Sequence, residues 1–166
     1  MMEEAPIDLM PPDTKQRAYD VAERARQNSV IQNVVPAILL YTWLLQASQT
    51  LHNTARLQND LGIAYRNLPT GDRGENLRQA ITCYDQALLV RTREAAPLDW
   101  AATQNNLGNA YAGLPTGDRG DNLRLAIACY EQALEFFTSM HVDHYAQVVK
   151  RNLEIAQQEL QDLEQE

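Results

Sequence analysis

Few residues in this chain have the types and spacing that chemistry requires. His141, Asp143 and His144 lie close together, and an imidazole pair beside a carboxylate can hold a metal ion or move a proton. No serine or cysteine nucleophile is tied to them by a recognisable motif, and Asp143 equally suits the cap of a following helix. Two cysteines, Cys83 and Cys129, are too few for a disulfide scaffold, and His52, His141 and His144 fall elsewhere in the chain, so packing in a core is the reading for both thiols. Thr70 to Gly74 and Thr116 to Gly120 both read Thr-Gly-Asp-Arg-Gly. They lack the spacing and the lysine of a phosphate loop. One role open to them is anion binding at a helix N-terminus; the other is a tight turn that sets the angle between two helices, and their recurrence favours the turn. These signals predict no catalytic residue, no metal site and no cofactor: the chain reads as something other than an enzyme.

The elements that position these residues are repeated. Leu61-Gly62-Ile63-Ala64-Tyr65 returns as Leu107-Gly108-Asn109-Ala110-Tyr111, the segment Leu68 to Gly74 returns unchanged as Leu114 to Gly120, and Ala80-Ile81-Thr82-Cys83-Tyr84 returns as Ala126-Ile127-Ala128-Cys129-Tyr130. Each pair is separated by 46 positions, and 25 of the 40 residues from Asn53 to Thr92 are identical to those from Asp99 to Thr138. A fixed period of that kind marks stacked structural units.

Each unit reads as two helices. In the second, Trp100, Thr103, Leu107, Ala110 or Tyr111, and Leu114 advance by three or four, a helical stripe, with Asp99 as its expected N-cap. Pro115 and Gly117 end it. Asp118 then caps a second helix whose apolar face is Leu123, Ala126, Ile127, Tyr130, Ala133, Leu134 and Phe137; Asp72, with Glu75 as a capping box, begins its counterpart. Small residues (Gly62, Gly108, Ala80, Ala126, Ala87, Ala133) are expected where helices approach closely. Tyr65, Tyr111, Tyr84 and Tyr130 fill the space between. One helix pair cannot bury its apolar face alone, so neighbours must stack.

The pattern Leu-Gly-x-x-Tyr followed by small-x-x-x-aromatic-x-x-Ala, carried by Leu61, Gly62, Tyr65, Ala80, Tyr84, Ala87 and by Leu107, Gly108, Tyr111, Ala126, Tyr130, Ala133, resembles the tetratricopeptide repeat (TPR). These units are longer than the usual TPR period, the extra length lying at Pro69 to Asn76 and at Thr92 to Leu98. With Asn105-Asn106 before Leu107, they are similar to the long repeats of kinesin light chains, and most similar to bacterial arrays that accompany signalling ATPases and caspase-like proteases. The resemblance implies an all-α, right-handed α-solenoid of about seven helices. It also implies a concave groove lined by the first helix of each pair. The groove positions are Arg56, Asn59, Ile63, Arg66 and Asn67, then Ala102, Asn105, Asn106, Asn109 and Ala112, then Val148, Arg151 and Asn152. An asparagine amide both donates and accepts, so a ladder of them suits an extended peptide backbone; the alternative is that the amides satisfy loop carbonyls or neighbouring repeats. Arg56, Asn59, Ile63, Arg66, Asn105, Asn106, Asn109, Arg151 and Asn152 are the expected peptide-binding set. Of the positions of the chaperone-type carboxylate clamp, only Asn106 matches, with Ile63, Val148 and Asn152 departing from it, so that clamp is not expected.

At the ends the pattern decays. Ala146, Val149, Leu153, Ala156, Leu160 and Leu163 step by three and four, one long amphipathic helix expected to cap the stack over 142–166. Pro36 to about Gln49 reads as a helix that is apolar all round, and Asp13 to Gln27 as a polar one. The expected organisation is a flexible 1–12, a degenerate helix pair at 13–52, repeats at 53–98 and 99–141, and the cap. Self-association through the apolar N-terminal helix or the last helix is the alternative function, which makes a homodimer the second expectation after a peptide or protein partner.

Composition narrows the partners. The formal net charge is −8, and without a basic stripe an acidic chain is a poor ligand for nucleic acid or an anionic membrane surface, so neither is expected. Met1 to Pro12 is acidic and lacks a basic leader, and the most apolar run, Val34 to Leu45, is shorter than the roughly 20 residues of a membrane span. A cytoplasmic location is the expectation.

Overall fold

The computed structural model describes residues 31–47 and 50–165. The expected flexible 1–12 and the polar helix at 13–27 lie outside the described residues. Those described form six helices and no strand: α1 Ile31–Ala47, α2 Leu51–Arg66, α3 Arg73–Leu88, α4 Pro97–Ala112, α5 Arg119–Ser139 and α6 Asp143–Leu163. Each packs chiefly on the helix before and after it in sequence, while α2 also touches α4 and α4 touches α6.

The two central pairs, α2–α3 and α4–α5, are built by the same local devices. Asp72 and Asp118 cap α3 and α5, accepting from the N–H of Glu75 at 2.7 Å and of Asp121 at 2.8 Å. The Glu75 carboxylate bonds Arg78 and Gln79, so the box is made from the aspartate side. Gly71 and Gly117 sit at φ 80° and 82°, where a Cβ is strained. The buried Asn76 and Asn122 then tie each turn from within, donating to the carbonyls of Thr70 at 2.7 Å and Thr116 at 2.8 Å. Arg73 and Arg119 reach back to the last turn of the preceding helix, bonding the carbonyls of Arg66 and Ala112. The turns also interlock: Arg78 donates to Thr116 Oγ1 at 2.8 Å, and that threonine covers Gly74. The Thr-Gly-Asp-Arg-Gly segments are thus tight, internally bonded turns.

Among the described residues, three apolar clusters fill the fold. One joins α1 and α2 through Ala37, Tyr41, Leu44, Leu57 and Leu61, with Cys83 from α3. The next joins Leu77, Ala80 and Tyr84 of α3 to Leu107, Ala110, Leu114 and Cys129. The last gathers Trp100, Tyr130, Phe136, Phe137, Val149 and Leu153 across α4, α5 and α6. Both cysteines are buried and reduced, and burial pushes each thiol up to about 12.

Three helix starts differ from expectation. Helix α4 begins at Pro97 after Ala96, not at an Asp99 cap. Proline at the first position has its φ preset and needs no N–H partner there, and Asp99 instead sits in the first turn, where its charge meets the helix dipole. Helix α6 begins at Asp143 after Val142, without a side-chain cap. The preceding turn is a Schellman closure in which His141 takes φ 54° and the Val142 N–H bonds the Phe137 carbonyl at 2.9 Å. Helix α1 starts before Pro36 and runs through it, giving up the one backbone bond that proline cannot donate, to the carbonyl of Gln32 four residues earlier.

Candidate interaction face

The asparagines of α2, α4 and α6 come together, but mostly with each other. Asn152 on α6 donates through Nδ2 to Oδ1 of both Asn105 (3.3 Å) and Asn109 (3.2 Å) on α4. Asn109 Oδ1 also accepts from the Tyr130 hydroxyl at 2.8 Å. Burial pushes that phenol up to about 12, with the nearby Arg66 charge partly opposing the rise, so the hydroxyl keeps its proton and stays a donor. Between α2 and α4, Asn106 Nδ2 donates to Asn59 Oδ1 at 3.2 Å.

Asn59 is only 8% exposed and lies between the helices. Its Nδ2 donates to Asp60 at 3.3 Å. Asn105, Asn106, Asn109 and Asn152 are half-buried, as are Ile63 and Arg66, whereas Arg56 and Arg151 are exposed. The carbonyl oxygens of Asn105 and Asn109 are used inward. Among the described residues no acceptor meets their NH2 groups, and no donor meets the side-chain oxygens of Asn106 and Asn152. Two unclaimed NH2 groups, each with two N–H donors, and two unclaimed acceptor oxygens thus stand on α4 and α6. Neither Arg66 nor Arg151 pairs with a carboxylate among the described residues. Beyond Arg151, a shallow open depression runs along α6 past Ile155 to Asp162.

Sequence reasoning missed two participants. Tyr130 reads as a core residue, and its hydroxyl reaches Asn109 only because the ring lies across Gly108. Arg91 carries no motif, yet it is buried and donates to the buried Thr103 at 3.1 Å. The one hint for Arg91 is that Phe137 occupies the equivalent place a repeat later.

The other candidates stay apart from this face. His141 serves the α5–α6 turn, and His144 and Tyr145 make a ring-edge contact at the start of α6, with Tyr145 stacked on Phe137 at 5.2 Å. Among the described residues no group of three histidine, cysteine or acidic side chains is placed to hold a metal ion, and no helix is long and apolar enough to cross a membrane. Comparison with protein-family models, with curated proteins and with solved structures finds no match to this chain.

Proposed function

We propose that the chain is a TPR-type α-solenoid acting as a non-catalytic scaffold, and that it binds an extended peptide or protein segment along the first helices of its pairs. The observation that carries this reading is the partly used amide strip. Asn105, Asn109 and Asn152 hold one another in place through one end of each amide, which leaves the opposite ends of Asn105 and Asn109 as donors and of Asn152 as an acceptor. A backbone in extended form offers alternating carbonyls and N–H groups to such a strip. Arg56, Ile63, Arg66, Asn106 and Arg151 complete the proposed contact set, and the buried Asn59 holds Asn106. The repeat at 46 positions supports the solenoid. The test is an array of extended peptides of varied sequence, probed with the wild type and with the Asn105→Ala/Asn109→Ala variant. The variant is expected to lose binding and keep its helical circular dichroism. Equal binding by the two proteins removes this face from the mechanism.

A second reading, assembly with another copy, is favoured by exposed apolar side chains on the first and last of the described helices: Leu39 on α1 is 67% exposed and Ile155 on α6 57%. Light scattering over a concentration series decides it, since a mass that stays monomeric at high concentration eliminates the reading.

A further inference from the structure

The junction between α3 and α4 and the junction between α5 and α6 are built at equivalent positions from opposite chemistry. Across the second, Phe137 and Val149 are buried in one apolar cluster, and Tyr145 lies on Phe137. Across the first, the same two positions hold Arg91 and Thr103. Arg91 is 6% exposed, yet only one hydrogen bond ties it across the junction, from Nη1 to Thr103 Oγ1 at 3.1 Å. Its Nε has no hydrogen-bond partner among the described residues. The facing carboxylate, Asp99, stands 4.0 Å away and is half-exposed, too far for a hydrogen bond and partly screened by solvent. Thr103 has a single proton to give. It goes to the Asp99 carbonyl of its own helix at 2.7 Å, which leaves Asn59, at 3.4 Å on α2, the weaker partner.

The other end of the same junction is different. Leu77, Ala80 and Tyr84 pack on Leu107, Ala110 and Leu114, and the Arg78–Thr116 bond closes it at the turn. Separating that end exposes apolar surface, which water opposes. Separating the Arg91 end also parts Leu88 from the Trp100 and Ala101 cluster, but it exposes a guanidinium whose Nε is unmet inside, and water satisfies that donor at once. The two ends of one junction therefore oppose opening unequally, the Arg91 end less.

We infer that the chain carries a hinge between α3 and α4: the polar end around Arg91 and Thr103 opens, the apolar end around Tyr84 and Leu107 is the pivot, and the α5–α6 junction stays closed. Opening parts Arg91 from Thr103 and loosens the first half of α4 from α2.

Amide hydrogen exchange on the whole chain tests the hinge by comparing Ala101 to Leu107 in α4 with the equivalent Gln147 to Leu153 in α6. Position alone makes α4, packed on both sides, the slower of the two, since α6 is the last helix. The hinge reverses that order, with the α4 segment exchanging about tenfold faster or more. An α4 segment as slow as α6, or slower, overturns the inference. The cause is tested by Arg91→Leu/Thr103→Val, which gives the first junction the apolar character of the second. Exchange in Ala101 to Leu107 is expected to slow to the α6 level, and an unchanged rate refutes the role of the polar pair. Should this variant not fold, the wild-type comparison alone decides.

Discussion

Gly108 lies flat beneath the ring of Tyr130, so close that a Cβ at position 108 would stand 2.7 Å from Tyr130 Cε1; Gly62 and Tyr84 repeat the contact at 2.6 Å. Neither ring has room to retreat, because Tyr84 and Tyr130 are buried on all sides. Gly108→Ala is therefore expected to destabilise the fold by about 1–3 kcal/mol, the usual range for overpacking a tight site. Urea unfolding followed by circular dichroism measures it, and a variant as stable as the wild type refutes the close contact.

Tyr130→Phe separates packing from hydrogen bonding at the same place. The ring stays and the bond to Asn109 at 2.8 Å goes, with an expected cost of about 1 kcal/mol. A loss as large as that of Gly108→Ala, measured in the same urea series, would contradict this division of roles.

The thiols give a pH prediction. Burial pushes Cys83 and Cys129 from 9.0 up to about 12 in the folded chain. A raised folded value means the fold prefers the protonated form, so this part of its stability is intact below pH 9 and is lost as pH climbs from 9 towards 12. The phenol of Tyr130, raised from 10.0 to about 12, acts in the same direction. Alkylation of the native protein at about pH 8 is accordingly expected to be slow, to gain about tenfold per pH unit, and to become fast in denaturant. Rapid labelling of the folded protein under those conditions would be incompatible with these buried sites.

His141 is held at φ 54° to close the Schellman turn before α6. A left-handed conformation costs an L-residue roughly 1 kcal/mol, and glycine escapes that cost. His141→Gly is expected to raise stability by about that amount. A thermal melt showing a large loss instead would reveal a role for the imidazole beyond the turn.

Much of the fold is legible because the chain states it twice. The recurrence of Gly62 and Tyr84 at Gly108 and Tyr130 locates the close helix contacts, and Asp72 and Asp118 cap the helices assigned to them. Helix starts are less legible where a proline or a backbone closure does the work of a cap: Asp99 and Asp143 are good capping residues, but Pro97 and the His141 turn place them inside their helices. The asparagines do come together on adjoining helices, while the inward use of Asn59 is not visible in the sequence. Its cross-helix partner, Asn106, comes from α4, and helical periodicity describes one helix at a time. Arg91 escapes notice for a related reason, since an arginine in a loop ordinarily reads as exposed.

The turns interlock in one direction, and α6 answers that interlock with acids. Where Thr116 rests on Gly74 and bonds Arg78, the equivalent Arg124 is met by Glu164 at 3.1 Å, and Arg119 by Glu159 at 2.6 Å. Position 154, equivalent to Gly62 and Gly108, holds an exposed glutamate 3.9 Å from Lys150, a charged side chain where the two glycines admit a tyrosine ring. A ring laid on α6 in this register would meet a carboxylate where α2 and α4 offer bare glycine backbone.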